Sequence, residues 1–191
     1  MIYVNQLQQG DMKYEHNVAH GGAGTHNTVA AAGCGLCSLC MIVDNMTFNH
    51  LGLEECLNMS YEFGANKEPG TDLKILGAAV AEKYGLGFSI TSDREILRKH
   101  LQDGGMAVAN SGGDREGYTG VFTHGGHYIV VVSIKGDEVC ILDPSTKDSK
   151  YDEEGRKGKV REALPFVYCS LDVLAKDCEN RNPSYYLFSR K

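Results

Sequence analysis

The stretch GCGLCSLCMIVDN, residues 33–45, constrains the fold more than any other part of the chain. Leu36, Leu39, Cys40 and Val43 fall at the spacing of one helical face, and Cys37, Met41 and Ile42 widen the stripe until the helix is apolar nearly all round. A helix of that kind must be covered on every side, so it belongs at the centre of a fold. The 191 residues are enough to bury a sizeable core without disulfide or metal staples.

The rest of the chain supplies the cover. Helices are expected over 52–64, over 72–85 with Thr71 as the cap, and over 92–102, where Ser92 and Glu95 have capping-box spacing and Ile96, Leu97 and Leu101 form the buried face. After residue 105 the character changes. MAVAN (106–110), HYIVVVSI (127–134), EVCIL (138–142) and YYLFSR (185–190) are short runs rich in β-branched or aromatic residues, bounded by Gly, Asp and Pro. A helical half followed by an antiparallel sheet half is an α+β order, and with no repeat or linker the reading is one domain, residues 1–191. Residues 10–32, rich in Gly, His, Asn and Thr, read as a long surface segment.

Charge and composition narrow the partners. Apolar residues make up 42 % and charged residues 23 %, and the net charge of −6 comes from interspersed signs with no dense Lys/Arg cluster, which argues against nucleic acid. No run approaches the roughly 20 apolar residues of a membrane span, so no membrane partner is expected. The first 20 residues lack the basic start and apolar core of a secretory signal, and Cys34, Cys37, Cys40 and Cys140 lie inside apolar runs. The expectation is a soluble protein of a reducing, cytoplasmic compartment.

The three cysteines at three-residue spacing pose a choice between metal and nucleophile. A ferredoxin-type run needs a fourth Cys, followed by Pro, at the position held by Asp44, and a zinc site lacks a second paired ligand set. No metal and no other cofactor is therefore expected. The start of a helix, by contrast, lowers a thiol pKa through its unpaired N–H groups, and Cys34 sits there between two glycines that permit close approach of a carbonyl. Cys37 and Cys40, one and two turns further on, read as core.

A thiol nucleophile needs a base, and His127 opens the most apolar strand after two glycines, with His124 in the preceding loop as the fallback. His127 equally suits a plain strand opening. If 127–134 and 138–142 form a hairpin across KGDE, Asp143 comes to lie beside His127, where a carboxylate orients an imidazole; locally Asp143 reads just as well as a turn residue before Pro144. Donors for an oxyanion are the Cys34 N–H and a side-chain amide among Asn5, Gln6, Gln8 and Gln9.

Taken together, the GCG helix start, GGHYIVVV and ILDP resemble the papain-like cysteine peptidases. The branch they are most similar to is the double-glycine leader peptidase type, found in bacteriocin-exporting transporters and in stand-alone bacterial relatives. The resemblance covers residues 3 to about 145 and implies a papain-like α+β fold with the Cys on a central helix and His and Asp on the sheet. It implies Cys34 as nucleophile, His127 as general base and acid, Asp143 as orienter and, from the opening YVNQ, Gln6 as the oxyanion-hole amide. Leu36 and Cys37 stand where the family commonly has Pro and Thr or Ala. The implied activity is amide hydrolysis on a peptide or small amide through an acyl-enzyme, the other reading being a peptide-binding module on the same scaffold. Nothing implies a transporter partner. Residues 146–191 read as a solvated face, and the glycine-rich loop between 110 and His127, with Tyr118 and Phe122, as either a mobile rim over the site or an ordinary connection.

Overall fold

The computed structural model describes residues 1–15 and 27–191. Helices are α1 (Val29–Ala32), α2 (Cys34–Met46), α3 (Leu53–Glu62), α4 (Leu73–Lys83), α5 (Arg94–Gln102) and α6 (Leu171–Cys178). Strands are β1 (Leu86–Thr91), β2 (Met106–Ser111), β3 (His127–Lys135), β4 (Glu138–Leu142), β5 (Arg161–Ala163), β6 (Phe166–Ser170) and β7 (Tyr185–Arg190). They form one sheet in the order β1-β7-β2-β3-β4-β6-β5, and every neighbouring pair is antiparallel.

The sheet is covered on both faces, which explains why β3 reads as an unbroken apolar run instead of an alternating one. Val108 and Val130 point into a core shared with α2, α3 and α4, while Ala107, Ala109, Ile129 and Val131 point into a second core with α5 and α6. Helix α2 lies against β3 with Leu36, Cys37, Leu39, Met41, Ile42 and Val43 all fully buried, the position its all-round apolar sequence demands. Gly35 makes the approach possible: a Cβ built there would sit 2.9 Å from Thr71 Cβ and 3.3 Å from the Tyr128 ring. Among the described residues no helix is long and apolar enough to cross a membrane.

Two helix caps differ from expectation by one residue. Asp72, not Thr71, caps α4 by accepting the Lys74 N–H at 3.0 Å, because the Thr71 hydroxyl is engaged with the buried Tyr14 hydroxyl at 2.7 Å. Asp93, not Ser92, caps α5, since Ser92 Oγ instead accepts the Ser184 N–H ahead of β7. In α5, Leu97 and Leu101 are buried as expected but Ile96 is 52 % exposed. The segment 10–32 is not all surface: Tyr14 and Val29 are fully buried, and its central part, 16–26, lies outside the described residues.

Nor are the two halves pure. β1 precedes α5 and pairs with β7, and α6 interrupts the strands of the second half. β1 shows little alternation because it is an edge strand whose side chains are mostly half-exposed. Residues 146–191 are not a solvated face either: Lys150, Tyr151 and Arg156 are buried, and Val167, Leu171, Leu174 and Tyr185 build the second core.

Replacing Gly35 by Ala tests the contact between α2 and β3. Overpacking costs about 1–3 kcal/mol, against a helix-propensity gain of about 1 kcal/mol. The expected outcome is a lowered urea midpoint at unchanged m-value; a raised midpoint shows that the contact is looser than described.

Candidate active site

The hairpin brings the site together. β3 and β4 pair with Lys135 opposite Glu138 and Val130 opposite Leu142, so the residue after β4, Asp143, comes level with the start of β3. His127 Nε2 lies 2.8 Å from Asp143 Oδ1. At the same end of this central strand α2 starts at Cys34, which lines one groove with His127, and the two side chains act on each other electrostatically. The backbone of Tyr128 and Gly35 also favours the thiolate, and α2 has no side-chain cap to occupy its first-turn donors.

Asp143 is fully buried and collects donors from its own turn. Lys150 Nζ and Tyr151 Oη each lie 2.5 Å from Oδ2, and the Ser145 N–H lies 2.9 Å from Oδ1. Ser145 Oγ bridges the cluster, 2.9 Å from His127 Nε2, 3.1 Å from Asp143 Oδ1 and 2.7 Å from Lys150 Nζ. The N-terminal segment straps across this turn: Tyr3 Oη donates to Asp143 O at 2.7 Å, Asn5 to Thr146 O, and the Gln6 N–H to Pro144 O at 2.8 Å.

The electrostatics follow from this packing. Burial alone would push Asp143 up, but the charges and hydrogen bonds of His127 and Lys150 hold it far below the usual carboxylate range. Burial disfavours the His127 imidazolium, yet the charge and hydrogen bond of Asp143, with Cys34 adding to them, raise His127 from 6.5 to about 8. For Cys34, burial acts upward and is outweighed by His127 and by the backbone of Tyr128 and Gly35, so the thiol ends below its ordinary value. Cys37 goes the other way, pushed well up by burial, and so does Cys40, through its hydrogen bond with Cys56 and burial. Burial depresses the Lys150 ammonium, with Asp143 opposing.

Of the residues singled out in the sequence, Cys34, His127 and Asp143 converge. Gln6 is buried beside α1, with Nε2 donating to Ala30 O at 2.8 Å and Oε1 buried without a hydrogen-bond partner, and it does not line the groove that opens on Cys34. His124 faces outward between Asp114 and Glu153, at 2.8 Å from each. Cys37 and Cys40 are core side chains, and among the described residues no three His, Cys, Asp or Glu side chains are grouped to hold a metal. The loop before His127 is no loose rim. Phe122 is buried edge-on against Tyr151, and the buried Asp177 accepts from Ser111, from Tyr118 Oη and from the N–H groups of Val121 and Phe122. Sequence reading missed Ser145, Lys150, Tyr151 and Asp177, which carry no motif or spacing; only the turn after Asp143 brings the first three to the carboxylate.

The fold has solved counterparts. The chain is similar to a Bacillus anthracis protein described as a C39-like peptidase, with 14 % identity, a TM-score of 0.60 and coverage of 100 % of this chain and 94 % of that one. It is also similar to the peptidase domain of Streptococcus ComA, a bi-functional ABC transporter involved in a quorum-sensing pathway, with 12 % identity, a TM-score of 0.55 and coverage of 83 % and 91 %. No protein-family model matches the sequence, and no curated protein does. The protein therefore has the papain-like C39 peptidase fold, of helices plus an antiparallel sheet.

Protonation of His127 favours the folded state: its contribution is complete below pH 6.5 and is lost as pH rises through about 8. In a histidine NMR titration, Cys34→Ala is expected to move the His127 midpoint down from about 8, and Asp143→Asn to move it further; an unmoved midpoint in both refutes the coupling. Lys150→Met leaves a buried carboxylate short of its cation and is expected to lower stability by about 3–5 kcal/mol in urea unfolding. A loss under 1 kcal/mol shows that Lys150 does not pair with Asp143.

Proposed function

We propose that this protein is a cysteine-dependent amide hydrolase, a peptidase in the first instance, with Cys34 as nucleophile. The observation that carries this reading is that Cys34, at the start of α2, shares a groove with His127, which is itself hydrogen-bonded to the buried Asp143, with the thiol pKa lowered and the imidazole pKa raised. The shared fold with C39-like peptidases supports it.

In the mechanism, His127 holds the proton of Cys34, and the thiolate attacks the amide carbonyl to form a C–S bond and a tetrahedral oxyanion. The Cys34 backbone N–H and the Gln6 amide receive that oxyanion. For Gln6, support comes from its place in the strap over residues 143–146 and from its Nε2, which gives one hydrogen to Ala30 O and has a second to donate. The C–N bond breaks as His127 gives its proton to the departing amine, leaving a thioester. Water then gives a proton to His127 and adds its oxygen to the thioester, releasing the acid and restoring the pair. Asp143, held charged by Lys150 and Tyr151, keeps the imidazole oriented throughout. The proposed unit is one domain over residues 1–191.

The first test is alkylation by iodoacetamide across pH, with modified cysteines mapped by mass. Cys34 is expected to react alone and fast below the free-thiol pKa of about 8.5 and to lose that behaviour in His127→Ala. Equal rates at all cysteines would leave a binding scaffold as the better reading. With a cleavable peptide in hand, Gln6→Ala is expected to lower kcat by about 10²–10³-fold while the iodoacetamide rate stays unchanged; if both fall together, Gln6 acts only in packing.

A further inference from the structure

The groove that opens on Cys34 has a volume of about 640 Å³ and is lined by charged side chains of both signs. Lys67, Lys74 and Arg181 line it against Glu68 and Asp72, a basic balance in a chain of net charge −6. Lys67 is bonded to Asp72 at 3.0 Å. Arg181 differs: among the described residues it forms no ion pair, its Nη2 reaches only the Gly112 carbonyl at a long 3.4 Å, and its Nε is buried with no partner at all. A guanidinium has five donors in a rigid fork matched to a carboxylate, so most of this fork is unfilled.

Its place is well determined. The Arg181 N–H donates to Cys178 O at 3.0 Å, its carbonyl accepts from Ser184 Oγ at 2.9 Å, and the guanidinium comes close to Gly126, where a Cβ would meet Nη2 at 2.8 Å. Gly126 immediately precedes His127. The group that protonates the departing amine faces the leaving fragment, so the His127 side of the groove is the leaving-fragment side. We propose that Arg181 binds a carboxylate on the leaving fragment of the substrate, either its C-terminal carboxylate or the side chain of an Asp or Glu just beyond the scissile bond. This inference rests on the hydrolase reading of Cys34 and His127.

Matched alkylating probes separate the two claims. Iodoacetyl-glycine is compared with iodoacetyl-glycinamide for a terminal carboxylate, and iodoacetyl-glutamic acid α-amide with iodoacetyl-glutamine amide for a side-chain one, by rates of Cys34 modification in the wild type, Arg181→Gln and Arg181→Lys. The expected result is that the anionic member of one pair reacts about tenfold or more faster than its neutral partner, the size typical of a charged hydrogen bond. Arg181→Gln should abolish that ratio, Arg181→Lys should keep part of it, and the neutral probes should react alike in all three. Which pair responds identifies the source of the carboxylate. A ratio equal in the wild type and Arg181→Gln overturns the role of Arg181 while Cys34 remains fast. Neutral probes reacting at Cys34 no faster than at other cysteines overturn the hydrolase reading and this inference with it.

Discussion

The rest of the site depends on a buried carboxylate. Asp143 has no solvent, so its charge stands only because His127, Lys150, Tyr151 and Ser145 all donate to it. Those donors tie the start of β3 and the turn after β4 to the carboxylate that β4 carries at its end. The N-terminal strap of Tyr3, Asn5 and Gln6 closes over the same turn through its backbone carbonyls. A charged group in low dielectric is expensive to leave half-paired, which makes this cluster rigid in the way an oriented imidazole requires.

The second constraint is the burial of α2. Because its sides are apolar, the helix packs against the middle of the sheet, and its N-terminal end delivers Cys34 to the opening of the central strand β3. The unpaired N–H groups of a helix start and the imidazolium then act on the same sulfur. Packing thus sets the position and electrostatics sets the reactivity. Asp177 does for the preceding loop what Asp143 does for the hairpin, fixing Val121 and Phe122 and so the backbone that leads into His127.

Much of this was legible along the chain where the signal was local. The all-round apolar stripe at 36–43 located the central helix, the KGDE turn located the hairpin, and the hairpin placed Asp143 near His127 by register alone. Signals that competed at adjacent positions were misread: Thr71 and Asp72, like Ser92 and Asp93, are both good caps, and only contacts with Tyr14 and with Ser184 decide between them. β1, β6 and α6 escaped notice because an edge strand and short elements carry weak periodicity. Residues 146–191 were misjudged for a different reason. Lys150, Tyr151 and Arg156 are polar residues of the kind that normally face water, and nothing in their order reveals that a buried acid or carbonyl awaits them.

What the sequence by itself determined is therefore the class of elements, the buried helix and the candidates Cys34, His127 and Asp143, since these follow from periodicity, from turn chemistry and from the reactivity of residue types. What only the tertiary structure decided is who charges whom. The pairing of Lys150 with Asp143 and the approach of the Arg181 guanidinium to Gly126 arise between segments separated in the chain or bent back on themselves, and burial, which sets the strength of every charge, exists only once the chain has packed.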